Sequence, residues 1–71
     1  MDYIDKYDEL KRLITEEVEI DGKVYRLEDE FERFFINGNK TAGTRIRKIM
    51  QYIRRTSESI RDDVQTYKKS I

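Results

Sequence analysis

The chain has 71 residues, 42% of them charged with 15 basic against 15 acidic, and contains no Cys, His, Pro or Trp. That length holds one small domain (1–71), and the missing Cys and His exclude disulfide frameworks, thiolate or imidazole metal sites and histidine-based triads, so no enzyme, metal or cofactor is expected. Apolar runs reach only triplets such as Phe34-Phe35-Ile36, and the acidic start Met1-Asp2-Tyr3-Ile4-Asp5 lacks the basic flank of a signal peptide, so a cytoplasmic protein with no membrane span is expected.

The first segment, residues 1–17, places Tyr3, Tyr7, Leu10 and Ile14 at steps of four, three and four, with Ile4 and Leu13 beside them, which predicts an amphipathic helix with Tyr7 on its apolar stripe. Acids at Asp2, Asp5, Asp8 and Glu9 crowd its first turns, where they complement the positive end of the helix dipole. In residues 18–26, β-branched and polar residues alternate around Asp21-Gly22, a strong short-range hairpin signal. The alternative there is a helix that breaks at Gly22 and restarts, since an isolated two-stranded ribbon is marginal unless it packs on something. Residues 28–36 read as a second helix with Leu27, Phe31, Phe34 and Phe35 on one side, ended by a left-handed residue at Asn37-Gly38.

Asn39 is suited to cap a long basic helix over residues 40–69, which contains no Pro and only Gly43 as a weak former. Positions 46, 50, 53, 57, 60, 64, 67 and 71 are spaced alternately by four and three. All but Ser57 are apolar, which predicts a coiled-coil-like oligomer seam carried by Ile46, Met50, Ile53, Ile60, Val64 and Tyr67. Beside that seam run Arg47, Arg54, Arg61 and Lys68, with Lys48, Arg55 and Lys69 one position on. The expected architecture is all-α: a helical hairpin turning at Asn37-Gly38, with the possible short β-hairpin near 18–26, assembled as a homodimer or homotetramer of helical-bundle type.

Zero net charge hides a segregation. Residues 1–36 carry 6 basic and 12 acidic residues, whereas residues 37–71 carry 9 basic and 3 acidic ones. Such asymmetry points to polyanion contact, and the alternative is neutralisation within the chain. Neutralisation would require Glu28, Asp29, Glu30 and Glu32 to face Arg45 through Arg55 across the turn. The turn itself gathers helix-terminal N–H groups, the Thr41 and Thr44 hydroxyls, Lys40 and Arg45, a candidate phosphate site. Its glycines lack the spacing of a nucleotide-binding loop.

The run Gly38-Asn39-Lys40-Thr41-Ala42-Gly43-Thr44-Arg45-Ile46-Arg47-Lys48 resembles the Gly-Asn-Lys-x-Ala-(Gly)-x-Arg-x-Arg core of the bacterial linker-histone-like nucleoid proteins of the chlamydial type, and the likeness extends more loosely along the basic helix to Lys69. That resemblance implies a helical pair around the turn, nucleoid association and DNA binding by Lys40, Arg45, Arg47 and Lys48, with Arg54, Arg55 and Arg61 following. Lys68 continues the same basic row. The expected function is therefore non-specific contact with the phosphate backbone of double-stranded DNA, without a small-molecule substrate. The alternative is a coiled-coil assembly or adaptor protein with no nucleic-acid role.

Overall fold

The computed structural model describes residues 3–71 as α1 (Tyr3–Thr15), β1 (Glu17–Ile20), β2 (Lys23–Arg26), α2 (Leu27–Phe35) and α3 (Lys40–Ser70). Asp2 and the side chain of Tyr3, both assigned to the first helix by the sequence pattern, lie outside the described residues. Among those described, no helix is long and apolar enough to cross a membrane.

Residues 17–26 form a hairpin and not a broken helix. Asp21 and Gly22 adopt φ of +52° and +82°, the paired left-handed residues of the two-residue turn that matches strand twist. The strands pair antiparallel in the register Glu17 with Arg26, Val18 with Tyr25, Glu19 with Val24 and Ile20 with Lys23. Alternation then buries Val18 and Ile20 and leaves Glu17 and Glu19 in water. The ribbon is stable here because its inner face packs on helices: Val18, Ile20, Leu27 and Ile49 form the core, joined by Leu13, Tyr25, Ile46, Tyr52 and Ile53.

The two shorter helices turn inward only part of the apolar side that their sequences suggest. In α1, Leu10 and Leu13 are half-buried together with Lys6, whose Nζ lies 2.6 Å from Asp63 Oδ2 on α3. Tyr7 and Ile14 are 59% and 47% exposed. The expected stripe through positions 7, 10 and 14 is therefore corrected to one through 6, 10 and 13, where Leu13 packs against the core and Lys6 reaches Asp63. In α2 the inward row is Leu27, Glu30 and Phe34, while Phe31 and Phe35 remain largely in water. Phe35 instead packs against its own neighbours, its ring centroid 5.4 Å from Phe31 and 4.8 Å from Phe34.

At the α2–α3 turn, the N–H groups of Gly38 (φ +70°) and Asn39 fold back to the carbonyls of Phe34 and Arg33. Asn39 Oδ1 then accepts from the N–H groups of Thr41 and Ala42 at 3.0 and 3.3 Å, which caps α3 as the sequence predicts. Gly43 sits against α2 so closely that a Cβ there would lie 2.7 Å from Phe34 Cε1.

Candidate nucleic-acid interface

The charge on α3 falls into residues that the fold leaves free and residues that it engages. Arg47, Arg54, Arg61 and Lys68 recur every seven residues and are all exposed. At 1.5 Å per residue they stand about 10.5 Å apart and span about 31 Å. A straight helix drifts by about 20° per heptad, so this row winds slowly over the outer side of α3. Arg47, Arg61 and Lys68 form no ion pair among the described residues, nor do the exposed Lys40, Arg55 and Lys69. Arg54 Nε donates 3.0 Å to Glu58 Oε1 one turn later, with 79% and 59% of the two side chains in water. Such a pair contributes only a few tenths of a kcal/mol and is readily exchanged for a phosphate oxygen.

Arg45 is different. Its Nε donates 2.9 Å to Glu30 Oε1, and its guanidinium lies 4.5 Å from the centroid of the Tyr25 ring. Glu30 is fully buried and also accepts from Arg33 Nη1 at 3.0 Å. One carboxylate thus holds two guanidinium groups, and the assembly keeps a net positive charge while tying α2 to α3 and the hairpin. Of the four acids that could have neutralised α3 across the turn, Glu30 alone reaches it. Glu28, Asp29 and Glu32 are exposed and make no ion pair among the described residues. Lys48 Nζ lies 3.7 Å from Asp21 Oδ2 at the hairpin turn, beyond hydrogen-bond range.

The phosphate site expected at the start of α3 does not assemble as drawn from the sequence. Asn39 occupies the first free N–H groups, and Arg45 is turned inward to Glu30. Lys40, five residues before Arg45, points about 140° away around the helix. The sequence offers Glu30 only as one of four acids able to face α3: it is 15 positions from Arg45, and its acidic neighbours do not mark it as the one that turns inward.

The expected oligomer seam divides in two. Ile46, Ile53 and Ile60 are half-covered by the rest of the chain, whereas Met50, Val64, Tyr67 and Ile71 are 39%, 51%, 53% and 82% exposed. The row that packs within the chain is the neighbouring one, Ala42, Ile49 and Thr56. It has the same seven-residue spacing but only small or single apolar side chains, so its pattern is weaker in the sequence.

A family model described as histone H1-like protein Hc1 matches residues 4–70, nearly the full span of these elements. No curated protein and no solved structure matches the chain.

Proposed function

The chain belongs to the histone H1-like Hc1 family, and from that premise we propose that it is a small DNA-binding, nucleoid-associated protein which grips the duplex by its phosphates without reading bases. The observation that carries this reading is the exposed row of Arg47, Arg54, Arg61 and Lys68, in which three of four cations have no ion pair among the described residues. Arginine's planar fork suits phosphate oxygens. A row on one convex helix face, with no convergent polar cluster to meet base edges, suits positioning on the backbone and not sequence readout. The row's length of about 31 Å corresponds to nearly one turn of duplex. Within this reading the protein is structural, not catalytic.

We further assign the protein a self-associating state, with Met50, Val64 and Tyr67 of the seam at the contact between copies and Ile46, Ile53 and Ile60, half-covered within the chain, along its edge. The chain exposes 5846 Å², whereas a compact monomer of its mass exposes about 4,700 Å². The excess exceeds the roughly 800 Å² that each partner contributes to a standard interface. Pairing would also double the number of arginine rows available to one duplex, and the avidity would offset the modest affinity of a chain with zero net charge.

The test is a fluorescence-anisotropy titration of labelled random-sequence duplex at several salt concentrations. Four phosphate contacts per protomer give a log–log salt slope of about −4. The double substitution Arg47→Glu/Arg54→Glu should weaken binding to unrelated sequences equally and flatten the slope by about 2. A preserved slope in that variant would remove the row from the interface. A folded protein that fails to bind even at low salt would overturn the DNA reading in favour of an assembly protein.

A further inference from the structure

The inner face of the hairpin carries one residue that the core does not use. Directly paired residues project to the same side of a sheet, so Lys23, paired with Ile20, shares the side of Val18, Ile20 and Tyr25 that meets α3. Lys23 is exposed and forms no ion pair among the described residues. It borders a cleft of about 300 Å³ between the hairpin and the first three turns of α3, whose α3 wall is made by Thr41, Thr44, Arg45 and Lys48.

Three features give this cleft the chemistry of a phosphate seat. Its lining carries three cations, Lys23, Arg45 and Lys48, against the single anion Asp21. The charge of Arg45 survives its contact with Glu30, because Arg33 shares that same carboxylate. Arg45 uses Nε for Glu30, which leaves its two Nη groups available, and the Tyr25 ring fixes its plane. The hydroxyls are also unoccupied. Thr15 and Thr66 donate to the carbonyls of Lys11 and Asp62, whereas Thr41 and Thr44 make no side-chain hydrogen bond among the described residues. Finally, Asp21 is a weak occupant, 86% exposed and 3.7 Å from Lys48.

We propose that this cleft holds a phosphate group, donated by the DNA backbone, between Lys23, Lys48 and the Thr44 hydroxyl. The inference rests on the DNA reading above and adds to it a second contact, on a different side of α3 from the arginine row: Lys48 lies about 100° around the helix from Arg47. It gives the otherwise acidic first half of the chain a direct part in binding, through the hairpin.

The experiment repeats the anisotropy titration with the full chain and four single substitutions. Thr44→Val changes no charge and should weaken binding about tenfold by removing one hydrogen bond to an ionised group. Lys23→Gln should weaken it similarly and reduce the salt slope by about one. Asp21→Asn, which keeps a residue tolerant of the left-handed turn, should tighten binding several-fold. Asp8→Asn, the same charge change on exposed α1, should leave affinity within about twofold, because Asp8 does not line the cleft. Wild-type affinity in both Thr44→Val and Lys23→Gln would overturn the seat and leave the arginine row standing. Equal tightening by Asp21→Asn and Asp8→Asn would also overturn it, as an effect of overall charge alone. If the wild-type chain binds no DNA, the preceding reading fails, and amide NMR shifts of Thr41 and Thr44 become the deciding measurement. Shifts on replacing chloride by inorganic phosphate at equal ionic strength would retain the seat for a free phosphate; their absence would end it.

Discussion

Glu30 shows how one side chain can matter to a fold while looking ordinary in the sequence. It is wholly enclosed, with Arg33 and Arg45 on the same carboxylate oxygen, and its Oε2 has no hydrogen-bond partner among the described residues. A buried carboxylate is tolerated because two charge-assisted bonds offset its desolvation, and removing one partner is far costlier than removing both. Glu30→Gln should therefore lower unfolding stability by about 2 kcal/mol in urea. Combined with Arg45→Gln, the double variant should lose about 1–2 kcal/mol less than the sum of the singles. Additive losses would show that the two groups do not interact. In the sequence Glu30 stands among Glu28, Asp29 and Glu32 as one more acid at a helix start, and only its placement between Leu27 and Phe34 on the inward row separates it from them.

Elements meet where local signals and packing agree, and the α2–α3 turn is the clearest case. Gly38 supplies the positive φ, Asn39 caps α3, and Gly43 admits the Phe34 ring. The first two roles are legible because turn and cap chemistry act over a few residues. The third is legible only in part: small residues at Ala42 and Gly43 just past a tight turn point to close helix packing, but that the Phe34 ring fills the space depends on its arriving at a given height from nine positions earlier. Replacing Gly43 by Ala would ordinarily stabilise a helix by about 1 kcal/mol. Here the new methyl meets Phe34 Cε1 at 2.7 Å, so Gly43→Ala should instead cost about 1 kcal/mol. The same substitution in a Phe34→Leu background should become stabilising. Chemical denaturation of the four chains checks this, and a gain in the wild-type background would mean the ring moves aside freely.

At the scale of the molecule the shape is set by α3. The chain measures 49 × 18 × 18 Å with a radius of gyration of 14.7 Å, against about 11 Å for a compact chain of this length. A rod exposes much of its long helix, and the apolar residues left in water follow a seven-residue repeat. Met50→Glu/Val64→Glu, at two exposed positions of that repeat, should shift sedimentation toward the monomer while circular dichroism keeps the helical signal. A wild-type chain that sediments as a monomer at all concentrations would remove the seam from the proposal.

The sequence by itself determined what short-range physics can encode: the three helices, a turn or break at Asp21-Gly22, the Gly38 stop, the Asn39 cap and the row of cations beside the apolar repeat. Each follows from periodicity or from a backbone angle that few residues accept. It also carried the family, through the Gly38–Lys48 run. Which face of each helix turns inward was decided only in three dimensions, because α1, α2 and α3 each offer more than one plausible stripe, and the choice rests on residues far apart in the chain that meet only in the fold, as Lys6 meets Asp63 and Glu30 meets Arg45. The same holds for charge: composition counts the arginines, but only the folded arrangement separates Arg45, held by Glu30, from Arg47, Arg55 and Arg61, which are left to the solvent.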